Sequence, residues 1–490
     1  MDSEAWGSLG QEIEQSTFEA GDYERFRACL ARETLELEDW QKQNRLADGH
    51  PVGGLELEAW LVHDDPGLRP KPCYDLFYER MGPDGNEWLS PELALFNVEF
   101  NTPPAELRGG ALRDFAGSLE AQWRRARTVA GEIGARLLRI GILPVLQESD
   151  LCLANISRSA RYAALNEQIL RARDGQPLHL NIVGLERLEV FHADVMLEAA
   201  ATSFQIHMQA PAAQGLRLYN ASIVASAPLI ALAANSPYLF GRDLWEETRI
   251  PVFEEAVEAG GFAGAAAGPL RRVSFGSGFA RESLLEVFQE NLEHFPILLP
   301  VRLDDEAGKL HHLRFHNGTI WRWNRPLIGF DQQGRPHIRV EQRVLPAGPT
   351  ILDEVANMAF YFGLVQDMVG EERACSERIE FACARDNFYG AARHGLKAHF
   401  KWYDGEQIGA RRLILNTLLP RAARGLASLG IDAEDARLYL GVIEQRATKQ
   451  QTGAGWQRRF VEKYGRDMQA LTGAYLERQD AGAPVHSWDL

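Results

Sequence analysis

The chain has 490 residues, 45% of them hydrophobic and 24% charged, the make-up of a globular protein able to bury a large core. Lys plus Arg number 52 against 68 Asp plus Glu, a formal charge of −16 with no basic stretch. That balance excludes a nucleic-acid footprint, and any anionic phosphate would have to be met by local arginines or divalent cations. Five scattered cysteines (Cys29, Cys73, Cys152, Cys375 and Cys383) form no CxxC pair. They read as reduced thiols in a cytoplasmic setting, not as a disulfide frame or zinc knuckle. Met1 to Gly7 shows neither the basic nor the apolar region of a secretory signal.

Residues 16–48 carry Phe18, Tyr23, Phe26, Leu30 and Leu35 at roughly helical spacing, which predicts a packing helix or an oligomer contact. Gly53 to Val62 then alternates as a strand. Leu55, Leu57, Ala59 and Leu61 fall on one face, and Glu56, Glu58 and Trp60 on the other. Carboxylates two residues apart on a strand lie ~6.5–7 Å apart at their Cα atoms, so they can grip two cations or both ends of a cation cluster. A proline-rich loop leads to a strand over 94–101, which Thr102-Pro103-Pro104 stops.

A long amphipathic helix is predicted over 110–138, a short buried strand over 137–144 and a second helix over 161–173. Ser203 to Gln209 alternates again, with Gln205, His207 and Gln209 on one face. The uncharged run Leu218 to Gly241 contains Asn220, Ser222, Pro228 and Asn235, which favour a buried helix over a membrane span. The Gly/Ala-rich stretch 259–268 reads as a flexible loop and lacks the Lys-Ser/Thr ending of a phosphate-cradling loop. Strands are predicted at 312–323 and 336–344 around the turn Asp331 to Pro336, and residues 352–480 are mostly helical.

The four alternating strands (54–62, 97–101, 203–209 and 337–343) are expected to share one sheet, with one active site around Glu56 and Glu58. Taken singly, each pattern fits a solvated face, His207 a core histidine, and Glu341 with Arg343 a surface ion pair. Together, three acidic positions, one imidazole and an Arg339-x-Glu341-x-Arg343 strand suit oxygen-seeking cations and an anionic phosphate or carboxylate. Nucleotide-phosphate chemistry with two or more Mg²⁺ fits that set. A metal-dependent hydrolase and a non-catalytic binding protein are the other readings of the same residues.

Nine stretches in order carry a family resemblance. They are Gly54-Leu-Glu56-Leu-Glu58, Val98-Glu99-Phe-Asn-Thr102-Pro-Pro104, Ala135 to Pro144, Arg161-Tyr162, Thr202-Ser-Phe-Gln205-Ile-His207, Ala234 to Gly241, His337 to Arg343, Ala391 to Ala398 and Thr452 to Arg458. With these the chain resembles the glutamate–cysteine ligase and carboxylate–amine ligase family of the glutamine-synthetase-like superfamily. The resemblance implies an α+β fold: a curved, mainly antiparallel sheet forming a cup, with helices packed outside. The expected layout is an N-terminal helical extension over 1–50, a catalytic domain over 51–460 whose part from 350 is mostly helical, and a C-terminal helix and tail over 461–490.

The resemblance also implies ATP and Mg²⁺, with Mn²⁺ as an alternative ion. ATP would phosphorylate the γ-carboxylate of glutamate, and an amine would attack the acyl phosphate. Glu56, Glu58, Glu99, His207 and Glu341 match metal-holding positions, and Glu341 with Arg343 the catalytic pair. Arg322 and Arg325 match the grip on the substrate carboxylate, with Gln205 and Arg339 as further substrate-binding candidates. Small molecules are then the only partners required, with neither nucleic acid nor membrane; a homo-oligomer is compatible. Gln205 stands where many members have the first His of a His-x-His pair, Leu143 stands at another usual His, and 303–335 carries little that matches.

Overall fold

The computed structural model describes residues 13, 17–259, 271–303, 306 and 308–490. Beyond Ala259, the Gly/Ala-rich stretch expected to be a loop lies outside the described residues. The strands run β1 (Val52–His63), β2 (Leu89–Pro91), β3 (Asn97–Asn101), β4 (Ala105–Glu106), β5 (Ala135–Leu138), β6 (Leu178–Val183), β7 (Arg187–His192) and β8 (Ser203–Gln209). They continue as β9 (Tyr238–Leu239), β10 (Arg242–Asp243), β11 (Asn324–Phe330) and β12 (Pro336–Pro346). One eight-stranded sheet has the order β11-β12-β8-β1-β3-β2, with β4 and β5 also paired to β1. Its pairings are antiparallel. All four strands expected to share a sheet do so.

The alternation of β1 sorts the sheet into two faces. Leu55, Leu57, Val98, Phe100, Phe204, Ile206, Met208 and Val340 are buried on the apolar face. That face rests on the helices Gly215–Ala233 and Ile351–Val369. Ser226 on the first of them accepts from Asn324 (2.9 Å) and Gln342 (3.2 Å), and a Cβ on Gly53 would run into Phe362 on the second. The stretch Ala212–Ala233 is apolar enough to cross a membrane, and the 18-residue window that makes it so is 89% buried inside the molecule, as the buried-helix reading expects.

The two helices meet through a hydroxyl pair, Ser222 and Tyr361 at 2.8 Å. The helix Ile351–Val369 in turn crosses Leu419–Leu429 so closely that a Cβ on Gly425 would lie 1.8 Å from the Gly363 carbonyl oxygen. Helices fill most of 351–481, as expected.

The expected strand at 312–323 is a correction. Residues His311–Asn317 form a helix, and the strand starts at Asn324. Leu310 enters in the left-handed region (φ 52°), and the Glu33 carboxylate takes the Leu313 amide (2.8 Å) and the His312 Nδ1 (2.7 Å). A carboxylate at a helix N-terminus satisfies orphan amides and complements the dipole, and this one comes from the helix Ala20–Lys42 far back in the chain. Smaller shifts are the earlier end of the helix after Gly110, at Glu132, and the strand expected at 137–144, which instead runs as β5 and shares only 137 and 138 with it.

The glycine crossing generates a prediction. Gly425→Ala forces two helices apart behind the sheet and should cost about 1–3 kcal/mol, read as a lower urea midpoint with an unchanged slope.

Candidate active site

The polar face of the sheet is assembled by register. Glu58 pairs with Glu99, Glu56 with Asn101 on one side and Gln205 on the other, and His207 with Glu341. Side chains opposite one another in a ladder project to the same side, so residues from β1, β3, β8 and β12 converge. Trp60, next on that face, is wholly buried, bonding Ile140 O at 3.0 Å and stacking on Phe96 at 5.6 Å.

Glu341 is the fixed point. It is fully buried and gripped through both oxygens by Arg325, at 2.8 and 3.2 Å, with Arg343 at 3.1 Å. Burial alone would raise its carboxyl. The charges of Arg325, Arg343 and His207 outweigh that and hold it well below the usual carboxylate range. Between Gln342 and Leu345 the β12 ladder slips by one residue against β8. Such a bulge re-aims side chains. Here Arg343 reaches the Gln205 carbonyl, while the Gln205 amide donates to Glu58 at 3.0 Å. Gln205 therefore joins a guanidinium on β12 to a carboxylate on β1.

Two acidic groups result. Glu56, His207 and Glu341 offer ligand atoms within 4.8 Å of one another, and so do Glu58, Glu92 and Glu99. In the first, His207 Nε2 lies 3.0 Å from Glu56 and 3.9 Å from Glu341, while Arg339 Nε donates to Nδ1 at 3.1 Å. In the second, Ser203 bonds Glu58 through its hydroxyl and through its amide at 2.7 Å. Burial, opposed by those bonds and by Arg343, still raises Glu58. Burial and the charges of Glu56 and Glu58 push Glu99 up to about 8. Burial and Glu58 push Glu198 up to about 8 as well, and Glu92 is raised well above its usual value by burial, Glu58, Glu99 and Glu198.

Ten site candidates were named from the sequence, and nine of them meet here: Glu56, Glu58, Glu99, Gln205, His207, Arg325, Arg339, Glu341 and Arg343. Arg322 does not. It is buried against Glu290 and Asn291, its guanidinium 5.1 Å from the Phe295 ring. Sequence reasoning missed Glu92, Glu198, Ser203 and Arg249. Glu92 lies between β2 and β3 and Glu198 on the 3₁₀ turn Val195–Ala200, where no periodicity marks a facing residue. Ser203 was visible as the first alternating position of β8. Arg249 braces the bulge by donating to the Arg343 carbonyl (3.3 Å) and to that of Val344.

The family to which the chain belongs makes it an ATP-dependent ligase. The chain belongs to glutamate–cysteine ligase family 2 (GCS2), whose sequence profile matches residues 52–479. Among solved structures, the chain is similar to the glutamate–cysteine ligase of Francisella tularensis in complex with AMP, at 12% identity and a TM-score of 0.51, over 91% of this chain and 90% of that one. It is also similar to a bifunctional glutathione synthetase from Pasteurella multocida, at 13% identity and a TM-score of 0.52, over 91% of this chain and 55% of that one. At these identities the likeness is one of fold. No curated protein matches the sequence.

The crowded carboxyls give a pH prediction. Glu99 and Glu198 keep their protons in the folded state up to about pH 8, but only up to about pH 4.5 in the unfolded chain. The folded state therefore holds more protons across that window, and stability falls as pH rises through it, levelling above. Melting in chelator should drop between about pH 5 and about pH 9, less steeply in Glu99→Gln. Millimolar Mg²⁺ should restore more of the loss at the alkaline end.

Proposed function

We propose that the protein activates the γ-carboxylate of glutamate as an acyl phosphate, using ATP and Mg²⁺, and joins it to an amine, with cysteine the default acceptor. The supporting observation is the division of charge on one sheet face: two acidic groups suited to divalent cations flank a fixed Arg325–Glu341–Arg343 cluster. Glu56, His207 and Glu341 would hold one ion, and Glu58, Glu92 and Glu99 another, with Glu198 beside them. The donors fit, because carboxylate oxygens with a single imidazole suit Mg²⁺ or Mn²⁺, and because Glu92 and Glu99 are raised by burial and by neighbouring carboxylates. When bound, the ions neutralise phosphate charge and so let an anionic carboxylate approach.

The chain's own groups do the positioning. Arg343, fixed by Glu341 and Gln205, supplies a preorganised positive charge for the phosphoryl group in flight. Arg325 orients Glu341, and Arg339 steadies the His207 ring from its Nδ1 side. The substrate carboxylate forms the new P–O bond as the bond to ADP breaks. The amine nitrogen then attacks the acyl carbon, phosphate departs, and the nitrogen proton passes to solvent. No enzyme nucleophile is needed, since the substrate's own carboxylate attacks.

Residues 51–460 form the catalytic body in this reading. The first helix is tied to it through Glu33, and the helix Met468–Ala481 through Gln479 and Tyr475, which bond the backbone of Arg139 at 2.7 and 3.0 Å. Five free cysteines suit a cytoplasmic setting.

The reading is tested by ADP and phosphate release, expected only when glutamate and an accepted amine are both present with Mg²⁺. Silence across a panel of amino acids and amines, or ATP-independent amide cleavage, sinks it. Arg343→Ala should lower kcat about 100- to 1,000-fold. Glu58→Gln and Glu341→Gln should cut turnover by orders of magnitude with an unchanged circular-dichroism spectrum. Near-full activity in either variant would remove that residue from the metal assignment.

A further inference from the structure

The aromatic wall beside Arg343 ends in a carboxylate that the reaction above does not use. The Arg343 amide donates to the Trp323 carbonyl at 2.9 Å, so Trp323 stands across the β11–β12 ladder from Arg343. Its indole Nε1 donates to Glu254 Oε1 at 2.9 Å, and the Tyr389 hydroxyl donates to the same oxygen at 2.7 Å. Among the described residues, Glu254 Oε2 takes neither a hydrogen bond nor an ion pair. Phe253, its neighbour on the helix Arg249–Ala256, packs on Trp323 at 5.7 Å and lies 5.9 Å from the Arg343 guanidinium. One oxygen is thus locked and the other open, on a half-buried carboxylate that Trp323 joins to the strand carrying Arg343.

Resting on the ligase reading, we propose that Glu254, walled by Trp323, Phe253 and Tyr389, binds the acceptor as its ammonium ion, which gives up one proton to solvent before its freed lone pair attacks the acyl carbon. A free carboxylate oxygen suits a primary ammonium through a charge-assisted hydrogen bond. It disfavours neutral and anionic acceptors. A purely structural Glu254 would need only one accepting oxygen for Trp323 and Tyr389, and a glutamine supplies that equally well. Burial, opposed by those two hydrogen bonds, pushes the Glu254 carboxyl up to about 7, as expected of a charge still waiting for its counter-ion.

The test is steady-state kinetics on the full chain with MgATP, glutamate, and cysteine or n-propylamine. Glu254→Gln keeps an oxygen for Trp323 and Tyr389 and removes the charge. It should raise the acceptor KM about tenfold or more, the worth of one charge-assisted bond, with the KM values for ATP and glutamate unchanged. An active variant with an unchanged acceptor KM overturns the subsite and leaves the ligase reading intact. If the wild type turns over no amine, calorimetry takes over. Binding of cysteine and n-propylamine but not N-acetylcysteine, lost in Glu254→Gln, keeps the subsite while the ligase reading falls. No amine binding by the wild type, or equal binding by the variant, overturns the subsite. Should the variant lose MgATP binding as well, Tyr389→Phe replaces it. A raised acceptor KM with normal ATP KM then supports the subsite, and an unchanged acceptor KM overturns it.

Discussion

Glu341 is fully buried, and a lone carboxylate at that depth would take up a proton rather than stay charged. Arg325 and Arg343 keep it ionised, and because Arg325 is itself buried and Arg343 only slightly exposed, the pairing has little water to fall back on. Removing one partner from such a set costs about 3–5 kcal/mol, because the charge left behind is uncompensated. The same two arginines fix the edge of the site. Arg325 belongs to β11, Arg343 to the bulge in β12, and Gln205 carries the linkage across β8 to Glu58 on β1. A chain of polar contacts therefore crosses four adjacent strands.

That arrangement is strained electrostatically at its other end, where Glu58, Glu92, Glu99 and Glu198 repel one another. The opposite face of the sheet has to supply what this one costs. There Leu55, Leu57, Phe204, Ile206 and Val340 are almost completely removed from water, each worth about 1.5–3 kcal/mol when fully buried. Two nearly all-buried helices receive them. Polar contacts on that side are few and matched, such as Ser226 with Asn324 and Gln342. One face is built for stability and the other for chemistry.

How much of this could be read from the residues follows from the same division. The alternation of Leu55 to Leu61 against Glu56 and Glu58 fixes both faces of β1, and identical alternation in 97–101, 203–209 and 337–343 brings those strands to the same sheet. Period-two patterning is local information, and it survives folding. The helix His311–Asn317 was illegible because its cap, Glu33, arrives from another element. Glu92 and Glu198 were illegible because irregular backbone carries no period. Arg322 was a readable error. It stands three residues before Arg325, so in extended chain the two point to opposite faces, and only Arg325 joins the site.

The strand order also dictates when the sheet can close. Residues 52–63 must wait for residues 203–209 to cover one flank, and those wait in turn for residues 336–346. Loop closures of that length are entropically slow, and pairings between segments so distant in sequence place folding late and make it cooperative. In the interval β1 presents an open edge and a row of leucines, the combination that invites pairing with another unfinished chain. Refolding from denaturant should therefore be sensitive to protein concentration, with yield limited by competition between molecules. The four glutamates of the polar face stay apart until closure, and their dispersed negative charge is then the chain's own protection against such encounters.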